Sequence, residues 1–274
     1  MATLPPTGAV LGIDVGFSAK ARSSAVCCLA WDAERLGWTI RRFRAISPER
    51  ETTIVAVAGS DELQAAAFDG PLRAGFEVIG RYRVADRLLT RRLGPQIGKP
   101  GQSSTPAGMR LNAAANDCAN VVLRRCRVAP ARHVCLIDEK AVVEAFPSSF
   151  LGVMIESPEG VAAKRNDRSD RYFQHLTEAG VLQGLLDHLL PGRAMSQSLS
   201  GVTNHDDRAA LVCAVTALAV AAGDYTAVGD ADGWIVLPPR RFVREWAWTD
   251  LEVNARNEKP GCLYQTSEQP PAVG

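Results

Sequence analysis

The run Ala9-Val10-Leu11-Gly12-Ile13-Asp14-Val15-Gly16-Phe17-Ser18 constrains the fold of this chain most. Apolar and β-branched residues in such a run read as a buried strand of about five to seven residues. The run delivers one carboxylate, Asp14, into the apolar row or at its end. A buried carboxylate is costly unless it is paired or binds a cation. Gly16 follows, and glycine allows a positive φ and the close approach of a ligand or another backbone. Asp14 therefore either caps a turn, as short polar residues do, or is a metal- or phosphate-binding carboxylate.

The 274 residues are enough for one large or two small domains with a sizeable core. A formal net charge of +1 gives no global pull towards nucleic acid, so such binding would need a local basic patch. The cysteines (Cys27, Cys28, Cys118, Cys126, Cys135, Cys213 and Cys262) form no CxxC pair, and several lie in apolar runs. Buried, reduced thiols of a cytosolic protein are expected rather than disulfides or a zinc site. The N-terminus lacks the charged region and long apolar core of a signal peptide, and no apolar run is long and continuous enough to span a bilayer. The expectation is a cytoplasmic protein with no membrane partner.

Along the chain, Ser24 to Trp31 is a second apolar run, and Trp38 to Ala45 alternates as a half-exposed strand does. With the first strand they predict an antiparallel meander. Ser47-Pro48-Glu49 starts a helix to about Ala58, with Ser47 as the N-cap candidate. Leu63 to Phe68 is a strand that delivers Asp69 to Gly70-Pro71, a second carboxylate at a strand end. Gly80 to Arg92 is basic with helical spacing, Gly94 to Gly108 reads as a loop, and Leu111 to Arg127 resumes a helix. Ala141 to Phe146 places Glu144 near the end of another strand, with Pro147 opening a short helix. A charged amphipathic helix is expected from Pro158 to about Ala179, then an apolar segment over Leu182 to Leu190. His205-Asp206-Asp207 heads a long helix, Arg208 to Ala222, whose composition demands burial on most faces. A hairpin over residues 225–237 follows, and from about Asn254 a flexible tail is expected.

Four acids thus sit where an apolar element meets a polar turn: Asp14, Asp69, Glu144 and Asp206, with Asp207 beside the last. Brought together, they would repel one another and suit Mg²⁺ or Mn²⁺, which take oxygen ligands. Such ions can activate water and stabilise the leaving oxygen of a phosphodiester.

The segments GIDVGFS, AAFDGPL, VVEAFPSSFL and HDDRAALVCAVTALA, followed by VGDADGWIVLPP, resemble the family known as DUF429. The resemblance spans about Val10 to Pro239. It implies a ribonuclease H-like α/β fold: a five-stranded mixed sheet, first three strands antiparallel, flanked by helices. It also implies a metal-dependent nuclease. On this reading residues 1–253 are a single domain with helical insertions around 80–130 and 155–195. Asp14, Asp69 and Asp206 are the expected metal ligands, and Glu144 is a fourth ligand or a base. In the similar Holliday-junction resolvase branch, the last helix carries two aspartates three residues apart. Asp206 matches the first and Ala209 stands at the second, while Asp207 points about 100° away on a helix.

Each of these residues also has a plainer reading. Asp69 suits an Asp-Gly-Pro turn, Glu144 a helix N-terminus, and Asp206 or Asp207 a helix cap. His205 is a surface histidine or one that orients an attacking water. Lys164, Arg165, Arg168 and Arg171 form a solvated helix face, or grip a DNA or RNA backbone with Arg81, Arg83, Arg87, Arg91 and Arg92. In substrate binding the expectation centres on Lys164, Arg168 and His205. Two other functions fit the same core. One is an actin-like nucleotide-binding or phosphotransfer protein, whose first phosphate loop Asp14 to Ser18 resembles. The other is a binding module that lost catalysis, as Ala209 would permit.

Overall fold

The structure, a computed structural model, describes residues 4–98, 100, 103–162 and 168–266. The first apolar run forms β1 (Gly8–Asp14), followed by β2 (Ser24–Trp31) and β3 (Arg35–Phe43) in an antiparallel meander. The third strand starts at Arg35 rather than Trp38. The Asp32 carboxylate accepts from the Glu34 and Arg35 backbone N–H groups and tightens the preceding turn. Helix α1 (Ser47–Ala58) carries Pro48 in its first turn and stops at Gly59; Ile46, not Ser47, is its cap residue. Strand β4 (Leu63–Asp69) then runs parallel to β1.

Helices α2 (Val84–Thr90), α3 (Gly94–Ile97) and α4 (Pro106–Arg125) come next. The loop expected over Gly94 to Gly108 is therefore helical at both ends. Thr105 Oγ1 accepts from Gly108 N at 3.1 Å and starts α4 early. Strand β5 (Val142–Ala145) leads into α5 (Pro147–Gly152), α6 (Pro158–Val161), α7 (Arg168–Glu178) and α8 (Val181–Leu189). The helix expected from Pro158 onward is thus a single turn at its start, and residues 163–167 lie outside the described residues. Strand β6 (Ala194–Met195), helix α9 (His205–Ala221) and the hairpin β7 (Thr226–Asp230) with β8 (Gly233–Leu237) follow.

The tail expected from Asn254 is ordered structure as far as residue 266. Helix α10 (Glu245–Glu258) runs through it, and β9 (Leu263–Gln265) pairs with β7. Asn254 itself is buried, and its Nδ2 donates to the Leu88 and Arg91 carbonyls.

The fold is α/β, with one mixed sheet of nine strands among the described residues, in the order β6-β3-β2-β1-β4-β5-β8-β7-β9. The expected five-stranded sheet is corrected accordingly. Its five strands form the middle, β3-β2-β1-β4-β5. Glu144 and Ala145 of β5 pair onward with Ile235 and Val236, so the hairpin extends the sheet instead of standing apart.

Helix α9 crosses one face of β1, β2 and β4 and is covered on its other side by α5, α7 and α8. This explains its composition: every residue from Arg208 to Val220 is buried, because sheet and helices take opposite sides. Glycine at position 12 permits the contact, since a Cβ there would overlap the Ala214 backbone nitrogen and lie 2.7 Å from its Cα. Helices α1 and α4 pack against the sheet and each other, tied by an Arg50–Asp117 ion pair. All seven cysteines are free; Cys126 is half-buried and the others are buried. No helix among the described residues is long and apolar enough to cross a membrane.

Candidate functional site

The register of the sheet sets the geometry. Arg42 pairs with Ala25, Ala25 with Asp14, Asp14 with Asp69, and Asp69 with Ala145, in one row across five strands. Residues in such a row project to the same face, and neighbouring strands lie about 4.8 Å apart. Asp14 is two residues from Gly12, so its face is the one α9 covers. Asp14 and Asp69 therefore stand side by side under the start of that helix.

Asn204 caps α9, its Oδ1 accepting from the Asp206 and Asp207 N–H groups at 3.0 and 3.3 Å. The cap reading of the two aspartates is thereby corrected: a third residue takes that work and leaves both carboxylates free to point elsewhere. Burial, then the charges of Asp69, Asp206 and Asp207, push the Asp14 carboxyl well above its usual range. Burial and then Glu144 push Asp69 up to about 7. Neither carboxylate has a hydrogen-bond donor or cation among the described residues to offset this.

That uncompensated pair fits a hard divalent cation, which would supply the missing positive charge through oxygen ligands. Among the described residues, no three His, Cys, Asp or Glu side chains are gathered as a group able to hold a metal ion as they stand. Asp14, Asp69 and Asp206 would have to close in upon binding.

Glu144 lies outside the group. It pairs with Phe68, one position short of the Asp69 row, so the pleat turns its side chain to the other face. There Arg83 holds it bidentately, Nη1 to Oε2 at 2.6 Å and Nη2 to Oε1 at 2.8 Å, while Leu72 N donates to Oε2 at 2.9 Å. Arg83 also grips Asp86, at 2.8 Å. A role for Glu144 as ligand or base would require it to give up these partners. Both of its oxygens are already engaged, and the pair is fully buried.

The other expected contacts are dispersed. His205 is more than half exposed and bonds Asp170 of α7 at 3.2 Å, a residue it shares with Arg208. Arg168 donates to the Gly94 carbonyl at 3.3 Å. Lys164 and Arg165 lie outside the described residues. The basic segment from Arg81 to Arg92 is taken up by ion pairs: Arg81 with Asp232, Arg87 and Arg91 with Glu258, Arg92 with Asp250. In the stretch resembling a phosphate loop, Ser18 Oγ accepts from the Lys20 and Ala21 N–H groups, which engages those donors.

Two further residues belong to this face: Asp207, which the sequence sets aside on helix angle, and Arg42, which it does not mark. Asp207 lies close enough to raise Asp14, and Arg42 Nε stands 3.5 Å from its Oδ1. In the sequence Arg42 is only one of the basic residues of an alternating strand. What marks it is the row it shares with Asp14, and a register is invisible before strands are paired.

A pH dependence follows from Asp69. Its ordinary value is 3.8, so between about pH 4 and 7 the folded protein keeps a proton that the unfolded chain has lost. Folding stability must then fall as pH rises through that window. The contribution is of the order of 2 kcal/mol once partial exposure is allowed for. Asp69→Asn is expected to flatten this part of the stability curve of metal-free protein in urea titrations. A curve with the same slope in both proteins would contradict the placement.

Comparisons with protein-family models, with curated proteins and with solved structures find no match for this chain. The site therefore rests on its own geometry.

Proposed function

We propose that this protein is a divalent-cation-dependent nuclease of ribonuclease H-like fold that hydrolyses phosphodiester bonds in DNA or RNA. The observation that carries the reading is the uncompensated Asp14–Asp69 pair on adjacent parallel strands, faced by the first turn of α9. The antiparallel opening meander β1-β2-β3 within a mixed sheet supports it, because the family resemblance implies that its first three strands are antiparallel.

Asp14, Asp69 and Asp206 would hold Mg²⁺ or Mn²⁺. When bound, the ion supplies an activated water and neutralises charge building on the phosphodiester. The chain's own contribution is positional. β1 and β4 fix two carboxylates at neighbouring strand ends, and Asn204 fixes the turn that carries the third. Ala209, a buried residue of α9, adds no ligand.

The test is incubation of purified protein with Mg²⁺ or Mn²⁺ and labelled RNA, DNA and branched duplexes. Cleavage by the wild type, abolished in Asp14→Asn and in EDTA, is the expected result. No cleavage of any substrate, or equal cleavage by Asp14→Asn, overturns the proposal.

A further inference from the structure

The row that contains the acidic pair ends in a base. From Asp69 it runs through Asp14 to Ala25 and then Arg42, all on the α9 face. Ala25, between the acids and the guanidinium, is fully buried on the face that α9 covers, so the solvent-facing end of the row is at Arg42. A pocket of about 440 Å³ opens at the basic end, lined by Arg22, Ile40, Arg41, Arg42 and Asp207. Three arginines on one pocket are a poor fit for an apolar ligand and a good fit for phosphate oxygens, which guanidinium groups bind through charge-assisted hydrogen bonds.

The state of Asp207 adds a second, independent observation. Its Oδ1 is buried and accepts no hydrogen bond, although Arg42 Nε is within ion-pair range at 3.5 Å. The two groups attract without closing, at a separation longer than a hydrogen bond. Arg42 is therefore only loosely held, and about half of its side chain faces solvent. Arg22 is anchored on its other side by Glu49 at 2.9 Å, which keeps it at the pocket rim.

We infer that Arg42, with Arg22 and Arg41 at the rim, binds a backbone phosphate of a single nucleic-acid strand, and that Asp207 competes with that phosphate for Arg42. This rests on the nuclease reading for the identity of the strand, and it assigns the end of the row where the strand enters. The contact is made by charge and needs no metal. Arg42 is a substrate-positioning residue, set two strands away from Asp14.

The experiment measures binding of a short fluorescein-labelled single-stranded oligonucleotide by anisotropy in EDTA, over a series of salt concentrations. Arg42→Ala is expected to weaken binding about tenfold and to reduce the slope of log K against log salt by about 0.7, the change for one lost phosphate contact on a single strand. Asp207→Asn is expected to tighten binding severalfold, because it frees Arg42. Arg124→Ala, on an exposed part of α4 distant in sequence from the row, should change neither quantity beyond the general loss of one charge.

Wild-type protein that does not bind the oligonucleotide overturns the inference, whatever the cleavage assay shows. So does binding whose strength and salt slope are unchanged in Arg42→Ala, a result that leaves the nuclease reading intact. Binding carried by Arg42, with no cleavage in Mg²⁺ or Mn²⁺, upholds the inference and overturns the nuclease reading instead.

Discussion

Arg83→Met is expected to lower the free energy of unfolding by about 3–5 kcal/mol, the usual result of removing one partner from a buried ion pair. The structure makes the reason specific. Arg83 is fully buried and faces two carboxylates, Glu144 and Asp86, with Ser103 Oγ completing the Asp86 shell at 3.2 Å. Without the guanidinium, both acids must be buried unpaired or take up protons. Burial already pushes Glu144 upward, and Arg83 is the main influence opposing it. The loss should therefore be larger at pH 8 than at pH 5, as urea titrations at the two values would show. Glu144→Gln keeps one acceptor, for Leu72 N and Arg83 Nη1, loses the one for Arg83 Nη2, and should cost less, about 1–3 kcal/mol, because Arg83 still pairs with Asp86. If Glu144 serves the fold alone, nuclease activity per folded molecule survives that change. Loss of activity in a stably folded Glu144→Gln protein would return Glu144 to the site.

Gly12→Ala is the second large effect expected, a destabilisation of about 3 kcal/mol, at the upper end of what overpacking usually causes. The obstruction is backbone rather than a side chain that could swing aside: the added methyl would meet the Ala214 nitrogen and Cα. Helix α9 cannot retreat, because α5, α7 and α8 close its far side. Thermal unfolding measures the loss. A Gly12→Ala protein of unchanged Tm would mean that α9 does not lie against β1 as described.

What the sequence made legible was local. The β1 run, the β2 run, the helix after Pro48 and the burial of α9 all follow from periodicity and punctuation carried by a few neighbouring residues. Asp14 and Asp69 were readable because each ends an apolar run at a chain-breaking glycine. The placement of Glu144 was not legible because it depends on a parity: Phe68 opposite Glu144, not Asp69, decides which face the side chain leaves from. The same dependence hid Arg42, whose partner Ala25 lies 17 positions away in the chain. Asp207 was discounted on helix angle alone, since the cap that frees it, Asn204, gave no signal distinct from the two acids behind it. The segment after Asn254 looked like a tail because its polar composition outweighs the buried Asn254, Leu251 and Cys262 that anchor it.

The sheet also has a bearing on how the protein behaves in a crowded solution. A long bare strand edge invites pairing with another chain, and here the outermost strands are brief: two residues in β6 and three in β9. Strand β6 pairs with β3 only at Arg35 and Leu36, so among the described residues no strand pairs with the rest of that margin. On that stretch stand Arg41 and Arg42, whose like charges repel the same stretch of a second molecule. The arginines proposed to receive a phosphate strand thus also keep the sheet from growing, and substituting both with apolar residues should make the protein prone to self-association.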